Sequence, residues 1–214
     1  MRKAICIVAT CLFFCTAINA QKGASDSKPK LGLKGGYNWS YLTGSADGLN
    51  KRNKTGFMMG AFYATPPKGR GFRSELVFSR QGYSFDNGGK NTDVLNDYIY
   101  FPQLATFTIA KVVQIQAGAQ VGYLLNSKKT STTKDSSITS LMNRFDYGFA
   151  GGAEVYPFKG LLVGARYNLG LGKLYKHYED QLSNTNPRPF PLPFDPAKTD
   201  FKNGVFQIYL GYQF

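Results

Sequence analysis

The chain has 214 residues, and its 26 Lys and Arg outnumber 13 Asp and Glu to give a formal net charge of +13. Its three cysteines (Cys6, Cys11 and Cys15) crowd the amino end, so the remainder holds no disulfide framework, cysteine metal site or cysteine nucleophile. With a single histidine, His177, a transition-metal cluster is not expected either.

Residues 1–20 read as a secretory signal, with Arg2 and Lys3 at its head, an apolar body, and cleavage after Ala20. The apolar run is shorter than the roughly 20 residues of a membrane-spanning helix. A lipoprotein signal through Cys11 or Cys15 would usually have Gly or Ala before the cysteine, and here Thr10 and Phe14 stand there. Removing Arg2 and Lys3 with the leader leaves 24 basic against 13 acidic residues. These charges are scattered and form no basic helix, so no nucleic-acid partner is expected and an anionic surface is favoured. Residues 21–29 are a polar lead-in, and 30–214 form the domain.

From residue 30 the pattern has a period of two, the mark of strands with two unlike faces. Residues 30–42 set Leu31, Leu33, Tyr37 and Trp39 against Gly32, Lys34, Gly36 and Asn38. Residues 55–65 set Phe57, Met59, Ala61 and Tyr63 against Gly56, Met58, Gly60 and Phe62, and 71–85 oppose Phe72, Leu76 and Phe78 to Arg73, Glu75 and Ser79. Residues 98–109 alternate poorly: with Ile99, Phe101, Ala105 and Phe107 outward, Gln103 is misplaced, and Pro102 suggests a bulge. Residues 112–125 are regular, with Ile115, Ala117, Ala119 and Val121 against Gln114, Gln116 and Gln120. Residues 144–156 oppose Phe145, Tyr147, Phe149 and Val155 to Arg144, Asp146 and Glu154, and 161–175 oppose Val163, Ala165 and Tyr167 to Gly164, Arg166 and Asn168. Residues 202–214 close the chain, with Phe206, Ile208, Leu210, Tyr212 and Phe214 on one face.

The connections between these eight strands alternate long and short. Residues 43–53, 86–95, 127–143 and 176–201 are long; 66–70, 110–111 and 158–160 are short. That parity predicts an all-β, eight-stranded antiparallel up-and-down transmembrane β-barrel, with the amino end and tight turns periplasmic and the long loops outside. A strand core of about 10 residues spans such a membrane when tilted. In a soluble barrel of the lipocalin type the apolar faces would turn inward, and here those faces are bulky and aromatic.

The closing strand, ending on Phe214, resembles the last strand of bacterial outer-membrane barrels. That resemblance implies that Tyr212 and Phe214 belong to a signal read by the barrel-assembly machinery. DYIYFPQLATFTIAKVVQIQAGAQVGYLL, FDYGFAGGAEVYPFKGLLVGARYNLGL and RSELVFSRQGYSF are similar to segments of the PorT-like outer-membrane β-barrel family. The resemblance covers roughly residues 30–214. It implies an integral outer-membrane barrel of Gram-negative bacteria; an exported barrel there is bordered by outer-membrane lipid and lipopolysaccharide, and a monomer is expected. One named member serves protein secretion across that membrane, and no catalytic or binding motif carries that role over to particular residues here.

Inside such a barrel the inward charges are the candidate site: Lys34, Arg73, Glu75, Arg144, Asp146, Glu154 and Arg166. Glu154 is expected diagonally across from Arg166, within reach of a long side chain. Buried charges must pair, which predicts a salt-bridged plug, with a narrow gated ion path as the alternative. No catalytic residue, cofactor or metal site is expected. His177, with Glu179, Asp180 and Ser183 nearby, lies where a lipid-modifying enzyme would act at the outer rim, but no His-x-Ser signature appears. Asp47-Gly48 and Asp86-Asn87 read as turns, and Gly170-Leu171-Gly172-Lys173 lacks phosphate-loop context. The loop 127–143 is polar. The loop 176–201 carries Pro187, Pro189, Pro191, Pro193 and Pro196 with Phe190 and Phe194, a stiff lid or contact surface.

Overall fold

The computed structural model describes residues 29–44, 50–65, 69–87, 90–110, 112–131, 136–176 and 200–214. The expected leader, nearly all of the lead-in, and the segment carrying His177 and the prolines lie outside them. Among the described residues there are nine strands: β1 (Lys30–Thr43), β2 (Asn50–Ala64), β3 (Arg70–Asn87), β4 (Lys90–Ala110), β5 (Val113–Ser131), β6 (Ser136–Ser137), β7 (Phe145–Phe158), β8 (Leu161–Gly170) and β9 (Lys202–Gln213). All pairings are antiparallel. Each barrel strand pairs with the next, and β9 returns to β1, closing an eight-stranded up-and-down ring. The two-residue β6 is an addition to the far end of β5. Closure leaves the ring no open edge.

The period of two sorts the faces as expected. Leu33, Tyr37, Phe145, Tyr147, Phe149, Ile208 and Leu210 are exposed on the outer surface. Lys34, Arg73, Glu75, Glu154 and Arg166 are buried inside. No described helix is long and apolar enough to cross a membrane; here the strands are the spanning elements.

Three features depart from the sequence pattern. First, the wall is uneven. The stretch read as a loop at 86–95 is a continuation of the β3–β4 ladder, down to Asn87↔Lys90, and β5 runs on to Ser131. On the opposite side β8 stops at Gly170, short of Tyr175. β3, β4 and β5 hold 18, 21 and 19 residues against 10 for β8. The extension stands because its inner face carries a large apolar cluster, with the buried Asn96 and Ser127 satisfied by a hydrogen bond to each other. Tyr83, Phe85, Val94, Tyr98 and Leu124 are buried against Ile138, Met142, Leu174, Tyr175 and Phe201. Each such large apolar side chain contributes about 1.5–3 kcal/mol when fully buried. The segment read as a polar loop therefore folds back, through a 3-10 turn at Thr139–Leu141 and a bridge from Met142 to Tyr175.

Second, Pro102 makes no bulge. The β4–β5 register runs through it as Pro102↔Gln120. Its missing N–H shows instead as a lapse in the β3 ladder between Ser74↔Gln103 and Val77↔Tyr100. Gln103 does face outward, where its Nε2 donates to Ser74 Oγ at 2.8 Å.

Third, the inward glycines are seats for rings. Gly32, Gly122 and Gly164 stand in register with Phe62, Tyr100 and Tyr209 respectively. A Cβ on any of them would strike the opposing ring. Large and small side chains thus interdigitate inside the barrel, a packing that the alternation of the single strands does not reveal.

Candidate functional site in the barrel interior

Inward side chains from six strands converge on two carboxylates. Glu75, from β3, accepts Lys34 Nζ at 2.7 Å from β1. It also takes both arms of Arg166 from β8, Nη1 to Oε2 at 2.6 Å and Nη2 to Oε1 at 2.8 Å. Glu154, from β7, is paired with Arg73 Nη1. It further accepts the Tyr156 and Tyr209 hydroxyls, each at 2.8 Å, and Gln116 Nε2 at 3.1 Å. The two halves are joined. Arg73 Nη1 lies 3.8 Å from Glu75 Oε1, and Arg166 Nη2 also donates to Gln116 Oε1 at 2.8 Å. Arg73 Nη2 donates to Tyr156 OH at 2.6 Å.

Aromatic faces complete the surroundings of the cations. The Arg73 guanidinium lies 4.4 Å over the Phe62 ring, and Lys34 Nζ lies 4.4 Å over Tyr209. Such contacts gain strength when water is excluded. Arg73 and Glu154 are both 0% exposed, so every charge here depends on its partners. Three cations share two carboxylates in this layer.

A neutral layer of amides lies alongside. Asn38 Nδ2 donates to Ser79 Oγ at 2.8 Å, Gln207 Nε2 donates to Asn38 Oδ1 at 3.0 Å, and Gln81 Nε2 donates to Ser79 Oγ at 2.9 Å. These bonds run around the wall from β9 through β1 to β3, rather than across the lumen as the Arg166–Glu75 pair does.

The expected site residues fall into three groups. Lys34, Arg73, Glu75, Glu154 and Arg166 come together. Asp146 is buried but stands apart, accepting Tyr100 OH and its neighbour's Tyr147 N–H, each at 2.9 Å. Arg144 is not in the interior at all. It precedes β7, is exposed, and donates to the carbonyls of Leu124 at 3.2 Å and Leu125 at 3.4 Å, with its guanidinium 6.0 Å from the Tyr123 ring. Alternation holds only inside a paired ladder, and the β5–β7 ladder ends at Tyr123↔Phe145.

Glu154 and Arg166 do stand on the expected diagonal of the β7–β8 ladder, but they form no direct ion pair. Glu154 opposes Gly164 and Arg166 opposes Gly152, and each side chain reaches across the lumen instead. In a narrow barrel an inward side chain aims at the axis, so its partner stands on the opposite wall at the same height. Sequence reading missed the tyrosines, Tyr156 and Tyr209, that join the network. Their signal was present: both share the inward parity of a neighbouring charge or glutamine. Among the described residues no group of three or more His, Cys, Asp or Glu is placed to hold a metal.

Comparison with known proteins agrees with this architecture. The family model described as the outer membrane protein beta-barrel domain matches residues 19–176. Neisserial surface protein A is 11% identical, with 86% of this chain and 97% of that one covered at a TM-score of 0.50, a likeness of fold alone. Ail, the attachment invasion locus protein of Yersinia pestis, is 18% identical over 87% of this chain and 99% of that one, at a TM-score of 0.48. OprG from Pseudomonas aeruginosa is 13% identical over 88% and 97%, at 0.46. No curated protein matches the sequence. With a closed ring of eight antiparallel strands, an apolar outer surface and a family match over most of its length, the chain belongs to the outer membrane protein beta-barrel domain family and is an outer-membrane β-barrel.

Proposed function

We propose that the protein is a non-enzymatic, lumen-sealed outer-membrane barrel that acts through its tall wall as an interaction platform at the cell surface. The observation that carries this reading is the uneven rim: β3, β4 and β5 continue past the barrel as a sheet with its own buried aromatic core. A wall built only to span lipid has no use for that extension. The tight-turn end is periplasmic in this reading, the leader 1–20 is removed on export, and β9 carries the signal for the assembly machinery. Partners are outer-membrane lipid, lipopolysaccharide, and a surface or secretion partner engaged by the platform. Sequence likeness of the quoted segments supports a PorT-like member, and assistance to assembly or secretion of other proteins is the role that follows.

Two measurements test it. Protease added to intact cells is expected to cut within residues 177–199 and spare the tight turn at Lys159; the reverse pattern overturns the orientation and the platform with it. Planar bilayers containing the purified barrel are expected to show no steady conductance. A second reading, a small pore, is favoured by the excess of cations over carboxylates in the lumen. It predicts anion-selective steps in the same recording.

A further inference from the structure

Arg144, which leaves the lumen, stands exposed at the rim on the long-loop side. Its Nη1 donates to the carbonyls of Leu124 and Leu125, and among the described residues its Nε and Nη2 have no acceptor. Those two nitrogens form one edge of the guanidinium, a fork that matches two oxygens of an anion. Next to it, Asn143 Nδ2 donates to Lys173 O at 2.7 Å, and Leu174 N donates to Phe201 O at 2.8 Å. Arg144, Lys173 and Lys202 are therefore set along the rim on three neighbouring segments. Lys173 is exposed, and Lys202 shares the outward parity of Phe206 on β9. Among the described residues the one carboxylate paired with any of the three is Asp200, on Lys173 at 2.6 Å. Both side chains of that pair are more than half exposed, so it is weak. The tall wall differs. There Arg80 gives the same fork, Nε and Nη2, to Asp97 at 2.7 and 3.0 Å, and Lys54 pairs with Asp93.

We propose that this stretch of rim binds a phosphate of lipopolysaccharide, with Arg144 holding two phosphate oxygens through Nε and Nη2 and with Lys173 and Lys202 adding charge beside it. Height selects the occupant. Directly below the three cations the wall presents Phe145, Tyr147, Tyr167 and Phe206 outward, all exposed. Such aromatic side chains mark the boundary between hydrocarbon and head groups. A phosphate anchored at Arg144 thus leaves its acyl chains lying on Phe145 and Tyr147. A free anion would gain from the charge alone, which water and salt screen. The inference rests on the orientation proposed above, with the long-loop end outside, and gives a bordering lipid a definite seat.

The experiment uses the full chain folded in detergent micelles, with native mass spectrometry reading the lipid retained. The probes are bisphosphorylated lipid A, the same lipid stripped of phosphate, and phosphatidylglycerol. Wild type is expected to retain bisphosphorylated lipid A and to hold each of the other two at least about tenfold more weakly. Arg144→Gln is expected to weaken lipid A binding by about tenfold, the scale of one charge-assisted hydrogen bond. Arg144→Lys, which keeps the charge and loses the fork, is expected to fall between. Arg80→Gln is expected to change nothing, and a heat-dependent gel shift checks that each variant is folded. Equal retention of the dephosphorylated lipid overturns the proposal, as does equal retention of phosphatidylglycerol. Undiminished binding in Arg144→Gln also overturns it, and so does an equal loss in Arg80→Gln, which would mean diffuse charge. Binding in micelles does not depend on orientation, so its failure beside the expected protease pattern overturns this inference and leaves the platform standing. A reversed protease pattern overturns the platform, whatever the micelles show, and removes lipopolysaccharide from this rim.

Discussion

Arg166 and Glu75 face each other across the full width of the barrel and meet fork to fork, at 2.6 and 2.8 Å. On one side β9, β1 and β2 separate their strands; on the other, β7, β5 and β4 do. The pair is therefore a cross-brace between the two most distant walls of the ring. Bidentate geometry fixes orientation as well as distance, which a lysine in place of Arg166 would not do.

Glu75→Gln strands both Arg166 and Lys34. It is expected to cost about 3–5 kcal/mol, the scale of a broken buried pair. Unfolding in urea from detergent or lipid measures it. Adding Arg166→Gln is expected to recover part of the loss, because one stranded charge is then removed.

Glu154 and Arg166 share no direct bond, whereas Glu154 and Arg73 do. A double-mutant cycle on Glu154→Gln and Arg73→Gln is thus expected to show a coupling of about 0.5–3 kcal/mol. The cycle on Glu154→Gln and Arg166→Gln is expected to show the smaller coupling, carried through Gln116. A larger coupling in the second cycle would contradict the cross-lumen arrangement.

Gly164 lies under the Tyr209 ring, and its Cβ position is occupied by that ring. Gly164→Val must push Tyr209 aside and with it the bond from Tyr209 OH to Glu154. The expected loss is about 1–3 kcal/mol, as for overpacking elsewhere. Tyr209→Phe, which keeps the ring and drops the hydroxyl, is expected to cost less in the same urea experiment.

Asp93 lies on the tall wall, beyond the membrane-spanning part of β4. Burial alone would raise its pKa, but the hydrogen bonds from Lys54 and Ser84 hold it below the ordinary aspartate value. A depressed folded pKa means that the pair's contribution is fully present above the unfolded value. It is lost as pH falls through the lower folded one, so the window lies below about pH 4. Amide hydrogen exchange at Thr92–Leu95 is expected to speed up in that window, while the lumen-facing strands keep their protection. Asp93→Asn is expected to remove the pH dependence.

Phe214 ends the outward row of β9, packed edge-on to Tyr212 at 5.4 Å, and its N–H donates to Leu31 O at 2.9 Å. Phe214→Asp is expected to leave export intact and to cut the amount inserted in the outer membrane. Fractionation of cells, with heat-shift gels of the membrane fraction, reads both quantities.

Alternation between Leu33 and Lys34, or Phe149 and Ala150, is a property of neighbouring residues, so within the paired ladders the sequence alone determined which way these side chains point; Arg144, one residue outside a ladder, escaped it. The parity of long and short connections determined the up-and-down barrel in the same local way. Partners were a different matter. Whether Arg166 meets Glu154 or Glu75 depends on the tilt and stagger of every strand in the closed ring, which no single strand encodes. The tall wall was hidden for a related reason. Asp86, Asn87 and Asp93 have turn-like composition, and they stay in a ladder because Phe85 and Val94 find Phe201 and Met142 from distant segments. Closure of the ring decided the ion pairs, and long-range packing of aromatic side chains decided the height of the wall.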